Sequence, residues 1–218
     1  WRAALDKAEF LKHDTRGLSD TELARRLGLP ADALEGRFYP DTYAYGKGSS
    51  DVKLLQRAQR AMDRQLKEVW QARSDAIAIH QIEEMRILAS LIEKETGRAS
   101  DRAMISSVFH NRLRLGMPLQ TDPTVIYGMG SSFDGNLRRR DLRSDHPWNT
   151  YTRTGLPPTP IAMPGKAALM AAVQPAQSQA LYFVARGDGS SQFSDTLAQH
   201  NQAVDQYQRR LSTKRQAQ

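Results

Sequence analysis

The sequence predicts an α+β fold in which helices dominate and strands are few and short. Apolar residues recur at helical spacing in three segments, which predicts helices over 51–72, 79–96 and 101–115. A buried strand is predicted over 181–185, because this apolar run is followed by a Gly-Asp-Gly-Ser hairpin turn. The region 116–165 lacks periodicity and is rich in turn residues, which predicts long loops of the functional kind.

Both ends of the chain are predicted to be helical. Near the start, a helix is expected over 3–11 and a second over 21–27, which Ser19 and Glu22 would open as a capping box. Near the end, a helix is predicted over 165–173 after Pro164. A last helix, capped by Ser194 or Asp195, is expected to end near Leu211 and to leave a frayed tail over 212–218.

Composition narrows the class of protein. The chain has 218 residues, 39% of them hydrophobic, which suits one large domain or one domain with a small appendage. No apolar run reaches the roughly 18 residues that cross a membrane. The absence of cysteine excludes disulfides and thiolate chemistry. Because the chain starts at Trp1, we expect a soluble piece of a longer protein, with any anchor or export signal upstream.

Charge favours an anionic partner without selecting one. The formal net charge is +7 at pH 7, which suits nucleic acid, acidic lipid headgroups or an acidic cell-wall polymer. The basic residues are dispersed along the sequence, however, and such a distribution is typical of an ordinary solvated surface.

The helix predicted over 79–96 ends in two glutamates that helical geometry places on different faces. At about 100° per residue, Leu88, Ile92 and Glu95 share one apolar stripe, whereas Glu93 lies more than a third of a turn away and is expected to be solvated. Desolvation raises the pKa of a carboxyl, and a general acid needs its proton near neutral pH. We therefore predict that Glu95 is the catalytic acid, with helix capping or an arginine pair as the structural alternative.

Two polar stretches carry side chains suited to a polyhydroxylated ligand, and an aromatic ring near them would stack on a sugar. The candidates are Gln120, Thr121, Asp122 and Tyr127 in the first stretch, and Asn149 and Tyr151 in the second. Ordinary loop capping is the alternative, because Asp-Pro readily starts a turn. No metal site is predicted, since the five histidines are scattered, and no nucleophile elbow or phosphate loop is present.

Several short motifs follow one another along the chain. They lie at 35–43, 93–97 (Glu-Lys-Glu-Thr-Gly), 108–113, 116–128, 149–151, 155–158, 161–165 and 181–184. In residues and in order, these motifs resemble the YceG-like (MltG) endolytic murein transglycosylase family, and the resemblance covers roughly 35–211. The short helices predicted over 1–35 indicate a small helical lead-in, which the resemblance matches only loosely. The resemblance implies the family's catalytic domain over 36–218, with a transmembrane helix and a LysM-like module upstream and absent here.

The resemblance also implies an activity and a location. Members are expected in the bacterial inner membrane with the catalytic domain in the periplasm, where they cleave nascent peptidoglycan between MurNAc and GlcNAc and leave 1,6-anhydro ends. Peptidoglycan strands and peptidoglycan synthases are the implied partners; no cofactor and no nucleic acid are implied. The second glutamate of the Glu-Lys-Glu motif is the family's catalytic residue, and it maps to Glu95.

Several roles stay open at this point. The six polar candidates are expected to position sugars and stabilise positive charge at the reacting carbon, and Arg112 either holds a substrate carboxylate or pairs internally. A hydrolysing muramidase with Asp122 as second carboxylate is the closest alternative. A peptidoglycan-binding module without catalysis is another, and a nucleic-acid-binding protein is the most remote.

Overall fold

Helices form most of the fold, which the structure, a computed structural model, describes for residues 1–31 and 34–209. Within these residues the α-helices are α1 (Arg2–Asp6), α2 (Asp20–Arg26), α3 (Asp51–Gln71), α4 (Ile82–Glu95), α5 (Ala99–Arg114), α6 (Asp122–Met129), α7 (Arg139–Arg143), α8 (Lys166–Val173) and α9 (Leu197–Val204). A 3-10 turn, Gly130–Ser132, follows α6, and a π-helical turn, Asp205–Arg209, follows α9. Strands β1 (Tyr182–Ala185) and β2 (Ser191–Ser194) pair as an antiparallel hairpin. The predicted α+β class is confirmed.

Helix α4 is the centre of the main core. Every residue from 85 to 92 is buried, and the helix packs against α3, α5, α6 and α8. A helix that is covered on all sides lies in the interior of a domain. Glu95 lies at the C-terminal end of this interior helix. None of the helices in the described residues is long and apolar enough to span a membrane.

A second, smaller apolar cluster joins the start of the chain to α3. Leu23 of α2 and Leu27, which follows this helix, pack with Phe38 against Leu55 and Ala58 of α3. The segment predicted as a helical lead-in therefore shares a core with the following helix. The predicted division at residue 35 stays a prediction.

Three helix boundaries differ from the sequence predictions for local reasons. Helix α1 ends at Asp6, not at residue 11, and Phe10 has a left-handed φ of 64° that a helix does not allow. Helix α4 begins at Ile82 because the Glu84 carboxylate accepts hydrogen bonds from the backbone N–H groups before it. Helix α5 begins at Ala99, so Ser100, predicted as its cap, lies inside the first turn.

The prediction of long loops over 116–165 is wrong in part, because α6, the 3-10 turn and α7 lie there. The Asp122-Pro123 pair opens α6 instead of a turn. Proline suits the first turn of a helix, since its φ is already helical and it lacks the N–H that would have no partner. Only Thr124 and Val125 of α6 are buried, so the helix leaves little periodic signal.

The C-terminal predictions hold in outline and differ in detail. The hairpin turn is confirmed, but only Val184 of the strand predicted as buried is buried. Helix α9 is capped by Thr196, whose hydroxyl accepts from the N–H of Gln199. Ser194 is not the cap because it is the last residue of β2. The predicted end near Leu211 and the tail 212–218 lie outside the described residues.

Candidate active site

Glu95 is the last residue of α4, and its carboxyl lines a pocket of about 530 Å³. Burial raises the pKa of this carboxyl, a hydrogen bond from the Thr121 hydroxyl lowers it in part, and the negative charge of Asp122 raises it further. The Thr121 Oγ1 to Glu95 Oε2 distance is 2.6 Å. The net shift holds the proton on Glu95 at higher pH than on an ordinary glutamate, as a general acid requires.

Glu93 is not solvated as predicted. It is half-buried, and its Oε2 accepts a hydrogen bond of 3.0 Å from the N–H of Gly165, at the start of α8. A carboxylate is stabilised at a helix N-terminus by the unpaired N–H groups and the helix dipole. The neighbouring Ser90 is also covered, since its hydroxyl accepts from the N–H of Ile161. The two glutamates therefore differ in partner and surroundings, and Glu95 is the one in the pocket.

Three threonine hydroxyls support the bond to Glu95. Thr121 is buried, and its N–H donates to the Thr150 hydroxyl at 3.1 Å. The Thr124 hydroxyl donates to the Thr121 carbonyl at 2.7 Å and lies 2.8 Å from the Thr150 hydroxyl. Gln120, the residue before Thr121, has a left-handed φ of 51°. Such a conformation costs free energy, and residues that adopt it cluster at functional sites. This turn points Thr121 inward and leaves Gln120 and Asp122 exposed at the pocket.

Asp122 and Tyr151 form a second polar pair in the pocket. The Tyr151 hydroxyl donates to Asp122 Oδ1 at 2.5 Å. Burial and the adjacent carboxylate raise the pKa of Tyr151, so the phenol stays protonated and keeps donating this bond. Asp122 is thus a carboxylate held in place beside Glu95 by a phenol.

Arg112 lines the same pocket and is bound internally. It is buried, its Nε donates to the Leu181 carbonyl at 2.6 Å, and its Nη1 donates to the Pro118 and Leu119 carbonyls and to Gln120 Oε1. All four acceptors are neutral. The internal role predicted for Arg112 is therefore present, although the partner is backbone and amide rather than a carboxylate.

Tyr127 and Asn149 lie behind the pocket and not among the residues that line it. Asn149 is fully buried, and its amide nitrogen donates to the carbonyls of Leu142 and Ser144. Its Oδ1 accepts from the N–H of Tyr151. Asn149 therefore holds the loop that carries Tyr151. Tyr127 packs edge-on against the Trp148 ring, with centroids 5.5 Å apart, and Tyr127 itself is half-buried.

The rest of the pocket is formed by residues that sequence reasoning missed. Tyr182 of β1 stacks on His200 of α9 with centroids 5.2 Å apart, and the Arg112 guanidinium lies 5.1 Å from the Tyr182 ring centre. Leu197, the first residue of α9, also lines the pocket and is 55% exposed. The sequence does not show whether a leucine at the start of a helix is exposed. It therefore did not indicate that these residues line the pocket.

Another carboxyl with a raised pKa lies outside this pocket. Burial raises the pKa of Glu35, which is half-buried and belongs to the motif at 35–43, and a hydrogen bond from the N–H of Gly36 lowers it in part. Glu35 is not among the residues that line the Glu95 pocket. Within the described parts of the chain, no three histidine or carboxylate side chains are grouped closely enough to hold a metal ion.

Known proteins resemble this chain over most of its length. It is 39% identical over 176 residues to the endolytic murein transglycosylase of Bacillus subtilis, a match that covers 80% of this chain and 48% of that protein. It is 29% identical over 180 residues to the endolytic murein transglycosylase of Streptococcus pneumoniae, covering 80% and 32%. The crystal structure of a putative YceG-like protein from Listeria monocytogenes superposes with a TM-score of 0.68 at 38% identity, covering 78% of this chain and 55% of that one.

The matched curated relatives are longer than this chain. The chain spans about half the length, or less, of the curated relatives that it matches. The family model of the YceG-like family matches residues 2–206, nearly all of the sequence and all of the pocket described above except Gln208. The family that the sequence motifs predict is therefore confirmed, and the chain belongs to the YceG-like family.

Proposed function

We propose that this chain is the glycan-cleaving part of an endolytic murein transglycosylase, acting between MurNAc and GlcNAc within peptidoglycan strands. Family membership and the names of the relatives in Bacillus subtilis and Streptococcus pneumoniae support the activity. The observation that carries the proposal is the Glu95 carboxyl, desolvated at the edge of an open pocket and bound by one threonine hydroxyl.

Glu95 serves as both acid and base in the proposed reaction. Its proton passes to the glycosidic oxygen as the bond from that oxygen to the anomeric carbon of MurNAc breaks. The resulting carboxylate then takes the proton of the MurNAc 6-hydroxyl, whose oxygen bonds to the anomeric carbon. The products are a 1,6-anhydro MurNAc end and a GlcNAc with a free hydroxyl. Glu95 finishes protonated, ready for another cycle.

The residues around Glu95 have different proposed roles. Gln120, Asp122 and Tyr151 contact the sugars directly, since they line the pocket, and the Asp122 charge stabilises the positive charge that develops at the anomeric carbon. Thr121 holds the Glu95 carboxyl in one orientation. Tyr127 and Asn149 act through the loops that they support.

The cellular setting is proposed from the resemblance to the family. The catalytic domain, placed at 36–218, would work in the periplasm at the bacterial inner membrane, on nascent strands and beside peptidoglycan synthases. Its basic character, with a formal net charge of +7, suits an acidic polymer. Copurification of a synthase with the membrane-bound protein tests this setting, and recovery of the protein only from the cytoplasm would contradict it.

A hydrolysing muramidase is the second candidate, and one observation favours it. The charge of Asp122 acts on Glu95, so the two carboxyls are neighbours, as a two-carboxylate hydrolase requires. Against it, the Oδ1 of Asp122 is bound by the Tyr151 phenol.

Mass spectrometry of digested glycan strands decides between them. We expect 1,6-anhydro MurNAc ends from the wild type and no new ends from Glu95→Gln. Glu93→Gln is the matched control, two residues away on the same helix and outside the pocket, and it should give wild-type products. Reducing MurNAc ends from the wild type would favour the hydrolase and contradict the proposal.

A further inference from the structure

The Glu95 pocket continues well beyond the side chains used in the proposed reaction. We call this continuation the far limb. It is lined by Arg112, Tyr182, Val184, Leu197, His200 and Val204. Glu95 lines the same pocket. A ligand that reacts at Glu95 can therefore extend a second part of its structure into the far limb without leaving the protein surface.

Arg112 gives the far limb a positive charge that no protein carboxylate neutralises. Arg112 as a whole residue is 7% exposed, and its guanidinium forms no salt bridge within the described residues. Its Nε and Nη1 donate to three backbone carbonyls and one amide oxygen, whereas its Nη2 has no hydrogen-bond partner among those residues. Burying a charge without a counter-ion costs free energy, so this arrangement favours an anionic ligand.

Apart from Ser191 and Gln208, the remainder of the far limb is apolar and aromatic. Leu197 is 55% exposed there, although large apolar side chains are usually covered. Burial and the positive charge of Arg112 lower the pKa of His200, so its imidazole is neutral near pH 7 and Arg112 is the cation of this limb. The surface therefore fits a carboxylate that is flanked by small apolar groups.

We propose that the far limb binds the peptide stem of the MurNAc residue, with a peptide carboxylate at Arg112 Nη2 and the stem's methyl groups against Leu197. This inference rests on the proposed function. Within peptidoglycan, the stem joined to the lactyl group of MurNAc is the part that combines carboxylates with apolar side chains. Sugar rings carry hydroxyls and amides, which match the polar groups around Glu95 instead.

The test compares two substrates and a matched pair of variants. The substrates are glycan strands that carry stem peptides, and the same strands after an amidase has removed them and left free lactyl carboxylates. Leu197→Glu places a negative charge in the far limb, and it should preserve the fold because an acidic residue is favourable at the start of α9. Leu115→Glu is the control, since Leu115 is 63% exposed and lies outside the pocket.

The inference predicts a loss that depends on the peptide. For Leu197→Glu, KM for peptide-bearing strands should rise about tenfold with kcat nearly unchanged, while cleavage of peptide-free strands stays within about twofold of wild type. Leu115→Glu should match the wild type on both substrates.

Each other outcome overturns the inference in a distinct way. Equal losses on both substrates would mean that the far limb binds sugar or the lactyl carboxylate. No loss for Leu197→Glu on either substrate would mean that the limb takes no part in binding. Both results leave the proposed function standing, whereas a wild-type protein that cleaves neither substrate would remove the function and the inference together.

Discussion

The two walls of the Glu95 pocket are made of different chemistry. The near wall, formed by Gln120, Asp122 and Tyr151 with Thr121 behind them, is polar and hydrogen-bonded to Glu95 itself. The far wall, formed chiefly by β1 and α9, is mostly aromatic and apolar, and within the described residues it makes no hydrogen bond to Glu95. The difference separates two tasks: the near wall tunes the reacting carboxyl, and the far wall recognises a part of the substrate that does not react.

The largest effect is expected at the reacting carboxyl. Glu95→Gln keeps the shape of the side chain and removes the transferable proton, so kcat should fall by roughly 10³-fold, within the range typical of general acid–base catalysis. Single-turnover rates on glycan strands measure it. Glu93→Gln should retain activity near the wild-type level. A Glu95→Gln protein with wild-type kcat would remove this residue from the mechanism.

A smaller effect is expected where the near wall touches the substrate. Asp122→Asn removes the charge proposed to stabilise the developing cation, so kcat should fall about tenfold, while the product ends stay 1,6-anhydro. Rates and end analysis on the same digest test this. A loss as large as that of Glu95→Gln would make Asp122 a second catalytic carboxylate.

Thr121→Val tests how the near wall tunes Glu95. The Thr121 hydroxyl lowers the pKa of Glu95, so its removal should raise this pKa further. The acid form then persists to higher pH, and the basic limb of the pH–rate profile should move upward, with kcat reduced by only about threefold. A basic limb that stays in place or moves to lower pH would contradict the assignment of that limb to Glu95.

The smallest effect concerns stability. The folded-state pKa of Glu95 is raised above its ordinary value of 4.5, so its contribution to stability is present below that value and lost as pH rises through the raised pKa. Glu95→Gln carries no charge at any pH, so its Tm relative to wild type should increase from pH 4.5 upward. A Tm difference that is constant across this range would contradict a desolvated Glu95.

Part of the near wall could be predicted because Gln120, Thr121 and Asp122 are adjacent in sequence. Helical geometry alone places Glu95 on the buried stripe of α4, and the motif at 116–128 carries Thr121 and Asp122 next to each other. Prediction was weaker where burial depends on distant segments. Asn149 is sealed behind the pocket, and Glu93 is covered by the start of α8, neither of which follows from spacing along one helix or loop.

The far wall could not be predicted because it depends on contacts across long stretches of chain. Arg112 and Leu181 are 69 residues apart, and the Arg112 side chain donates a hydrogen bond to the Leu181 carbonyl. Every residue carries such a backbone carbonyl, so the sequence does not indicate which one the arginine contacts. Leu197 is the first residue of α9, and its place at the pocket depends on the packing of α9 against the β1–β2 hairpin, which spacing along the helix does not reveal.

The central claim is that Glu95 performs both proton transfers and that no water attacks the anomeric carbon. Digestion of glycan strands by the wild-type protein in water enriched with ¹⁸O tests it most directly, with mass spectrometry of the newly formed MurNAc ends. We expect anhydro ends that contain no ¹⁸O, because the 6-hydroxyl of the same sugar closes the ring. Reducing ends that carry ¹⁸O would contradict it and assign the attacking oxygen to water.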